Sequence, residues 1–129
     1  MTALRKDAEH KLQCAVCDLL RLAAAPGLIW YSVPNDGSRS PRTGARMKAR
    51  GMWPGVADLA FALPGGKAAF LELKSPQGRL SPEQRAFQDT CERAGVPYAT
   101  ANSLAAAESV LRLWGALSDR MHWQDRRAA

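Results

Sequence analysis

Asp58, Glu72 and Lys74 are the residues of this 129-residue chain whose types and spacing could do chemistry. Asp58 opens one apolar segment, and Glu72 lies near the end of the next. If those segments are antiparallel strands, their opposed ends meet. The fourteen positions between the acids then shrink to a few ångströms, on the order of the ~4.8 Å between strands. Glu72 and Lys74 share a face because strand side chains repeat every two residues. Two carboxylates brought together repel unless something positive lies between them. Hard oxygen donors with open water positions suit Mg2+ or Mn2+. Such an ion can bind a phosphate oxygen, activate water and offset charge in the transition state. Lys74 then has three tasks open to it: holding the attacking water, shifting its protonation, or contacting the phosphate. An E-x-K pair alone equally describes a surface ion pair. The acid at the end of an otherwise apolar strand, opposite a strand that opens on another acid, raises the metal reading without displacing the surface pair. As strand-end groups, both carboxylates are expected to add little to core packing.

The elements that must position these residues are legible in outline. Residues 58–63 and 68–74 flank Pro64, Gly65 and Gly66, the best hairpin signal in the chain. Ala69, Leu71 and Leu73 are expected on one side of the second strand, and Phe70, Glu72 and Lys74 on the other. Its apolar run suggests a central strand covered on both faces. Ser81 can cap the next helix, with Pro82 at its first position and Gln84 completing a capping box. That helix runs to 93 or 94, where Gly95 stops it. A short strand over 96–101 and a helix capped by Asn102 or Ser103 follow. This last helix buries Leu104, Ala107, Leu111 and Trp114, and Leu117 is a further candidate. Upstream, residues 3–23 read as a helix from the spacing of Leu12, Val16, Leu19 and Leu20. Glu9 lies three and seven residues before Leu12 and Val16, which turns it towards the packed side. From the pattern alone, a plain acid in the first turns, favoured by the helix dipole, is the better reading. Residues 28–33 form a strand candidate.

The stretch 36–50 reads DGSRSPRTGARMKAR, with Arg39, Arg42, Arg46, Lys48 and Arg50 against the single acid Asp36. Broken periodicity and Gly, Ser and Pro predict a basic loop with at most one short helical turn. It carries most of the formal charge of +6. Arg and Lys on such a segment can follow a phosphate backbone without reading bases, although a solvated loop would look the same. It holds no aromatic residue and so no stacking platform of its own; Trp30 and Trp53 flank it at a distance.

With 47% hydrophobic residues, one ordinary domain with a sizeable core is affordable, and wholesale disorder or a repeat solenoid is excluded. No apolar run approaches the roughly 20 residues of a membrane span, and residues 1–11 lack the apolar stretch of a signal peptide. Cys14, Cys17 and Cys91 make no disulfide framework. Cys14 and Cys17 have the spacing of half a zinc site with no second pair, so small apolar side chains on a helix is the better reading. A reducing, cytoplasmic compartment fits. The glycines form no phosphate loop of the G-x-x-x-x-G-K-[ST] kind, so no nucleotide cofactor is expected. The expected architecture is α/β, a small mixed central sheet flanked by helices. It forms one domain over 1–117, including the basic loop, followed by a tail over 118–129. Met121 and Trp123 make that tail a candidate dimer interface; Trp114 serves either the interface or the core.

The string GMWPGVADLAFALPGGKAAFLELKSPQGRLSPEQ resembles the VRR-NUC family, the virus-type replication-repair nucleases of the PD-(D/E)xK superfamily. The G-x-x-D approach, the E-x-K strand and the L-S-x-x-Q helix start match in order and spacing, and the likeness extends from Glu9 to about Trp114. By position, the resemblance implies a restriction-endonuclease-like core, Asp58 and Glu72 as metal ligands and Lys74 as the catalytic lysine. The Leu73 backbone carbonyl would be a further ligand. Gln84 matches the glutamine of the next helix, a second task for an amide already committed to a cap. Glu9 matches the acid of the first helix, which makes it a candidate ligand for metal or water. Ala57 departs from the proline that usually precedes the aspartate; proline there fixes backbone but donates no ligand atom. Short stand-alone relatives, often from phages, are similar in action to Holliday-junction resolvases and form homodimers. The implied function is a Mg2+- or Mn2+-dependent endonuclease on branched DNA. Action on flap, nicked or single-stranded DNA is the alternative, as is a DNA-binding module with little turnover.

Overall fold

A computed structural model describes residues 2–34 and 40–118. The element order is α1 (Ala3–Ala23), β1 (Ile29–Ser32), α2 (Pro41–Ala49), β2 (Leu59–Ala62), β3 (Ala68–Leu73), α3 (Pro82–Ala94), β4 (Tyr98–Ala101) and α4 (Leu104–Leu113). The strands form one sheet in the order β1-β2-β3-β4, antiparallel except for the parallel pair β3–β4. That parallel pair needs a crossover, which α3 supplies.

The alternation expected in β3 divides the core. Ala69, Leu71 and Leu73 join Leu59 and Phe61 of β2, Val16, Leu19 and Leu20 of α1, and Ala107 and Leu111 of α4 in the main cluster. Phe70 faces the other way, into a smaller cluster with Ala57, Phe87, Cys91 and Tyr98. The central strands are thus covered by α1 and α4 on one face and by α3 on the other. Trp114 packs edge-on against Phe61, with ring centroids 5.8 Å apart, so within the chain it closes the core. Leu117 bridges to Ala24, and the Ser118 N–H donates to the Ala23 carbonyl at 2.7 Å. This ties the end of α4 to the end of α1. Met121 and Trp123 lie outside the described residues, as does Arg39.

The basic stretch corrects the expectation of a loop over 36–50. Residues Pro41–Ala49 form a nine-residue helix. Ser40 caps it by accepting from the Thr43 N–H at 3.1 Å, and Pro41 stands at the start, where a missing N–H loses nothing. The helix buries no residue, so its sequence has no apolar stripe to reveal it. Its winding puts Arg42, Arg46 and Arg50, spaced by four, along one face.

Candidate active site

The hairpin brings Asp58 and Glu72 together as the strand argument requires. Leu59 is opposite Leu71, so Asp58, one step before β2, reaches the C-terminal end of β3. The Asp58 Oδ2 accepts from the Leu73 N–H at 2.8 Å, and the Glu72 Oε1 accepts from the Asp58 N–H at 3.2 Å. Each acid thus binds the other's strand. Lys74, on the same side, places its Nζ 3.6 Å from the Glu72 Oε2. Contrary to the expectation for strand-end groups, Glu72 is only 2% exposed and Lys74 7%. The sheet end is roofed by α3 and the loop after β3, so these side chains are part of the interior.

Gln84 performs both of its candidate tasks in one rotamer. Its Oε1 accepts from the Ser81 N–H at 2.8 Å, completing the capping box, while its Nε2 donates to the Glu72 Oε2 at 2.6 Å. An amide has two ends, and the helix start lies close enough for both to be used. The approach of α3 depends on Gly55 in the G-x-x-D segment. Gly55 has φ +84, and a Cβ there would meet the Glu83 carbonyl carbon and oxygen at 2.4 Å each. A side chain at 55 would push away the helix turn that carries Gln84.

Glu9 reaches the same end of the sheet from α1. Its Oε2 accepts from the Ser75 N–H at 3.2 Å, one residue beyond Lys74. Among the described residues no group of three or more His, Cys, Asp or Glu side chains is placed to hold a metal. The close acid pair is therefore Asp58 with Glu72, and Glu9 braces the segment after β3. Cys14 and Cys17 are free thiols, and the His10 Nε2 lies 3.6 Å from the Cys14 Sγ.

Burial pushes the Glu72 carboxyl up from its usual 4.5 to about 9, assisted by the charge of Asp58 and a side-chain hydrogen bond to it, with Lys74 pulling the other way. The upward shift belongs to the coupled pair rather than to Glu72 alone. The same surroundings, burial first and then Glu72, push the Tyr98 hydroxyl above its ordinary value. Two adjacent carboxylates, the oxygen-donor type that hard divalent cations take, are a donor set such a cation fits.

The upward shift predicts an unusual pH dependence. The folded, metal-free protein keeps a proton that the unfolded chain releases above about 4.5. The associated stability is full below that pH and is lost as pH rises through about 9. In chelator, the melting temperature is expected to fall from pH 5 to pH 9. Glu72→Gln removes the titrating group and should flatten the decline, at a cost at all pH values because its Nε2 meets a donor where a carboxylate oxygen now accepts. Thermal melts across pH check this; an equal slope in both proteins would refute it.

Two concavities flank the acid pair. One, of about 400 Å3, is lined by Arg5, Lys74 and Arg79 together with Gln77, Gly78, Ser81 and Gln84, and by no acid. Arg5 and Arg79 were not singled out by the sequence reading. They come from the start of α1 and the loop after β3, and only the packing of one against the other brings them together. The other, of about 470 Å3, opens on the Asp58 side between α1 and β1.

A mixed four-stranded sheet between helices, with an acid pair and a lysine at the ends of its central strands, defines a PD-(D/E)xK-like nuclease domain. The chain belongs to the VRR-NUC domain family, which matches residues 6–105. Two solved structures are similar in fold. One, a "VRR_NUC domain protein", has 17% identity and a TM-score of 0.64 over 82% of this chain and 86% of its own. A second, a "VRR_NUC domain", has 17% identity and a TM-score of 0.58 over 81% of this chain and 95% of its own. No curated protein matches the sequence. Membership brings nuclease function in general, and no helix among the described residues is long and apolar enough to cross a membrane.

Proposed function

We propose that this protein is a divalent-metal-dependent DNA endonuclease that hydrolyses phosphodiester bonds at Asp58, Glu72 and Lys74, with branched DNA such as a Holliday junction as its substrate. The observation that carries the reading is the geometry of the acid pair, Asp58 and Glu72 bonded to each other's strands at one end of the sheet, with Glu72 buried and the buried Lys74 Nζ 3.6 Å from its Oε2. Asp58, Glu72 and the Leu73 carbonyl would hold Mg2+ or Mn2+, which supplies Lewis-acid stabilisation of the phosphate and a lowered water pKa. Gln84 fixes the Glu72 carboxylate, and Glu9 fixes the backbone that follows Lys74. Lys74 faces the position of the attacking water or of a phosphate oxygen. Arg5 and Arg79 line a wall with no carboxylate, suited to the backbone of the cut strand. In the reaction water adds to phosphorus, one P–O bond breaks, and the leaving oxygen takes up a proton.

The decisive experiment offers the purified protein supercoiled, linear, single-stranded, flap and four-way DNA with Mg2+, Mn2+ or chelator. Metal-dependent cleavage favouring the four-way form is expected. Equal cleavage of all forms would remove the structural selectivity, and no cleavage in either metal would leave a binding module. Two coordinated cuts across a symmetric junction call for two active sites, so we also propose a homodimer as the working unit. Light scattering without DNA should give twice the 14.0 kDa chain mass.

The positive face of α2 is the proposed duplex contact, with Lys48 on a neighbouring face and Arg39 just upstream in sequence. Each phosphate contact adds about 0.9 to the slope of log affinity against log salt. Replacing Arg42, Arg46 and Arg50 by Gln should therefore lower the slope by up to about 2.7 on any B-form duplex and create no base preference. An unchanged slope in a salt titration would place the DNA elsewhere.

A further inference from the structure

The two concavities beside the acid pair differ in chemistry, and the difference gives the cut strand a direction across the site. The Lys74 side carries Arg5, Lys74 and Arg79 and no acid, which suits phosphate. The Asp58 side does not. Its groove of about 470 Å3 is lined by Asp18 and Asp58 against the single guanidinium of Arg21, and the Arg21 Nη1 already pairs with the Asp18 Oδ1 at 3.2 Å. What the groove offers instead is an aromatic side chain, Trp30, with Gln13, Ser32 and His10 also in its lining. The Arg21 guanidinium lies over the Trp30 ring, 5.8 Å from its centroid, and its side chain is exposed. A planar, neutral ligand with hydrogen-bonding edges fits such a place. It can stack on the indole or on the guanidinium plane, as single-stranded bases do on aromatic and Arg side chains. The volume falls within the range of small-ligand sites. Asp58 lines the same groove, so its occupant would be a close neighbour of the reacting phosphate.

We infer that the α1–β1 groove seats an unpaired base of the DNA strand, one flanking the cut bond, with Trp30 and the Arg21 guanidinium that lies over it as its stacking wall. This rests on the nuclease reading and narrows it. The substrate must present an unstacked nucleotide at the cut, as branch points, flaps and single strands do and continuous duplex does not. It also supplies the stacking surface that the basic segment lacks.

The test uses the full chain in chelator, where DNA can bind uncut. 2-Aminopurine is placed singly at successive positions of a branched oligonucleotide duplex. One unpaired position should be quenched on binding, and the cleavage map in Mg2+ should put it beside the cut. Trp30→Leu, which keeps an apolar side chain but removes the ring, should abolish that quenching and weaken binding to the branched form by about 5- to 150-fold. Trp30→Phe should retain both. Ser32→Leu, at an exposed strand position, obstructs the groove without touching the core and should mimic Trp30→Leu even if the latter fails to fold. Quenching that survives Trp30→Leu and Ser32→Leu, or no quenched position at all, overturns the inference. Cleavage is scored separately. Quenching without cleavage in any metal leaves the groove assignment standing and removes the nuclease reading. Cleavage whose preference for branched over paired DNA is unchanged in Ser32→Leu removes the groove assignment alone.

Discussion

Asp58→Asn is expected to lower the cleavage rate by about a thousandfold or more, with a melting temperature close to that of the wild type. An amide has nearly the same volume, and its oxygen can still accept from the Leu73 N–H that now meets the Asp58 Oδ2 at 2.8 Å. Alanine would be a poorer probe, because it would leave that backbone donor without its partner. What the amide removes is charge. Metal-assisted hydrolysis takes several kcal/mol of stabilisation from its ion, and about 4 kcal/mol corresponds to a thousandfold in rate. Calorimetric titration should show weakened Mg2+ or Mn2+ binding in parallel. Without metal the variant should be as stable as the wild type or more so at neutral pH, because Glu72 loses the like charge that helps raise its pKa. Full activity in the purified variant would end the assignment of Asp58 as a ligand.

Lys74→Met should cut the single-turnover rate by about a hundredfold to ten-thousandfold, the range for loss of a positioned acid–base group, while metal affinity holds or tightens. Lys74 is 7% exposed and its Nζ lies 3.6 Å from the Glu72 Oε2. Methionine has a similar length and accepts burial, so the fold should survive. Losing one positive charge beside the acids favours a divalent cation in their midst. Saturating DNA and metal isolate the chemical step. A normal rate under those conditions, with DNA affinity reduced, would recast Lys74 as a phosphate anchor.

Much of this site could be read from sequence because it is built on adjacent strands. Hairpin register and the two-residue period place Asp58, Glu72 and Lys74 at one end of the sheet with no other knowledge, and the Ser81-Pro82 start locates α3. Hydrophobic pattern reports only on burial, however, and α2 buries nothing. Its signal was a cap, Ser40-Pro41, set in residues that otherwise look like a loop. The burial of Glu72 was hidden for a different reason. The apolar run of β3 signals cover on both faces, but that this cover extends to Glu72 at the strand end depends on α3 and the loop after β3, which lie outside the strand. Arg5 with Arg79, and Trp30 with Arg21 and Asp58, are neighbours only through tertiary packing, so spacing could not bring them forward. The double use of Gln84 turned on the distance between a helix start and a strand end.

That double use has a consequence for how the centre comes into being. One amide at once completes the cap of a helix and holds the Glu72 carboxylate. Its orientation is locked from both ends, since exchanging its oxygen and nitrogen would set donor against donor at Ser81. The lone pair of the Glu72 Oε2 that receives the amide proton is thereby withdrawn from other partners. The polarity of the pocket is inherited from the start of a helix. The start of α3 and the orientation of the Glu72 carboxylate are thus set by one side chain, so a change that loosens the first turn of α3 reaches the acid pair directly.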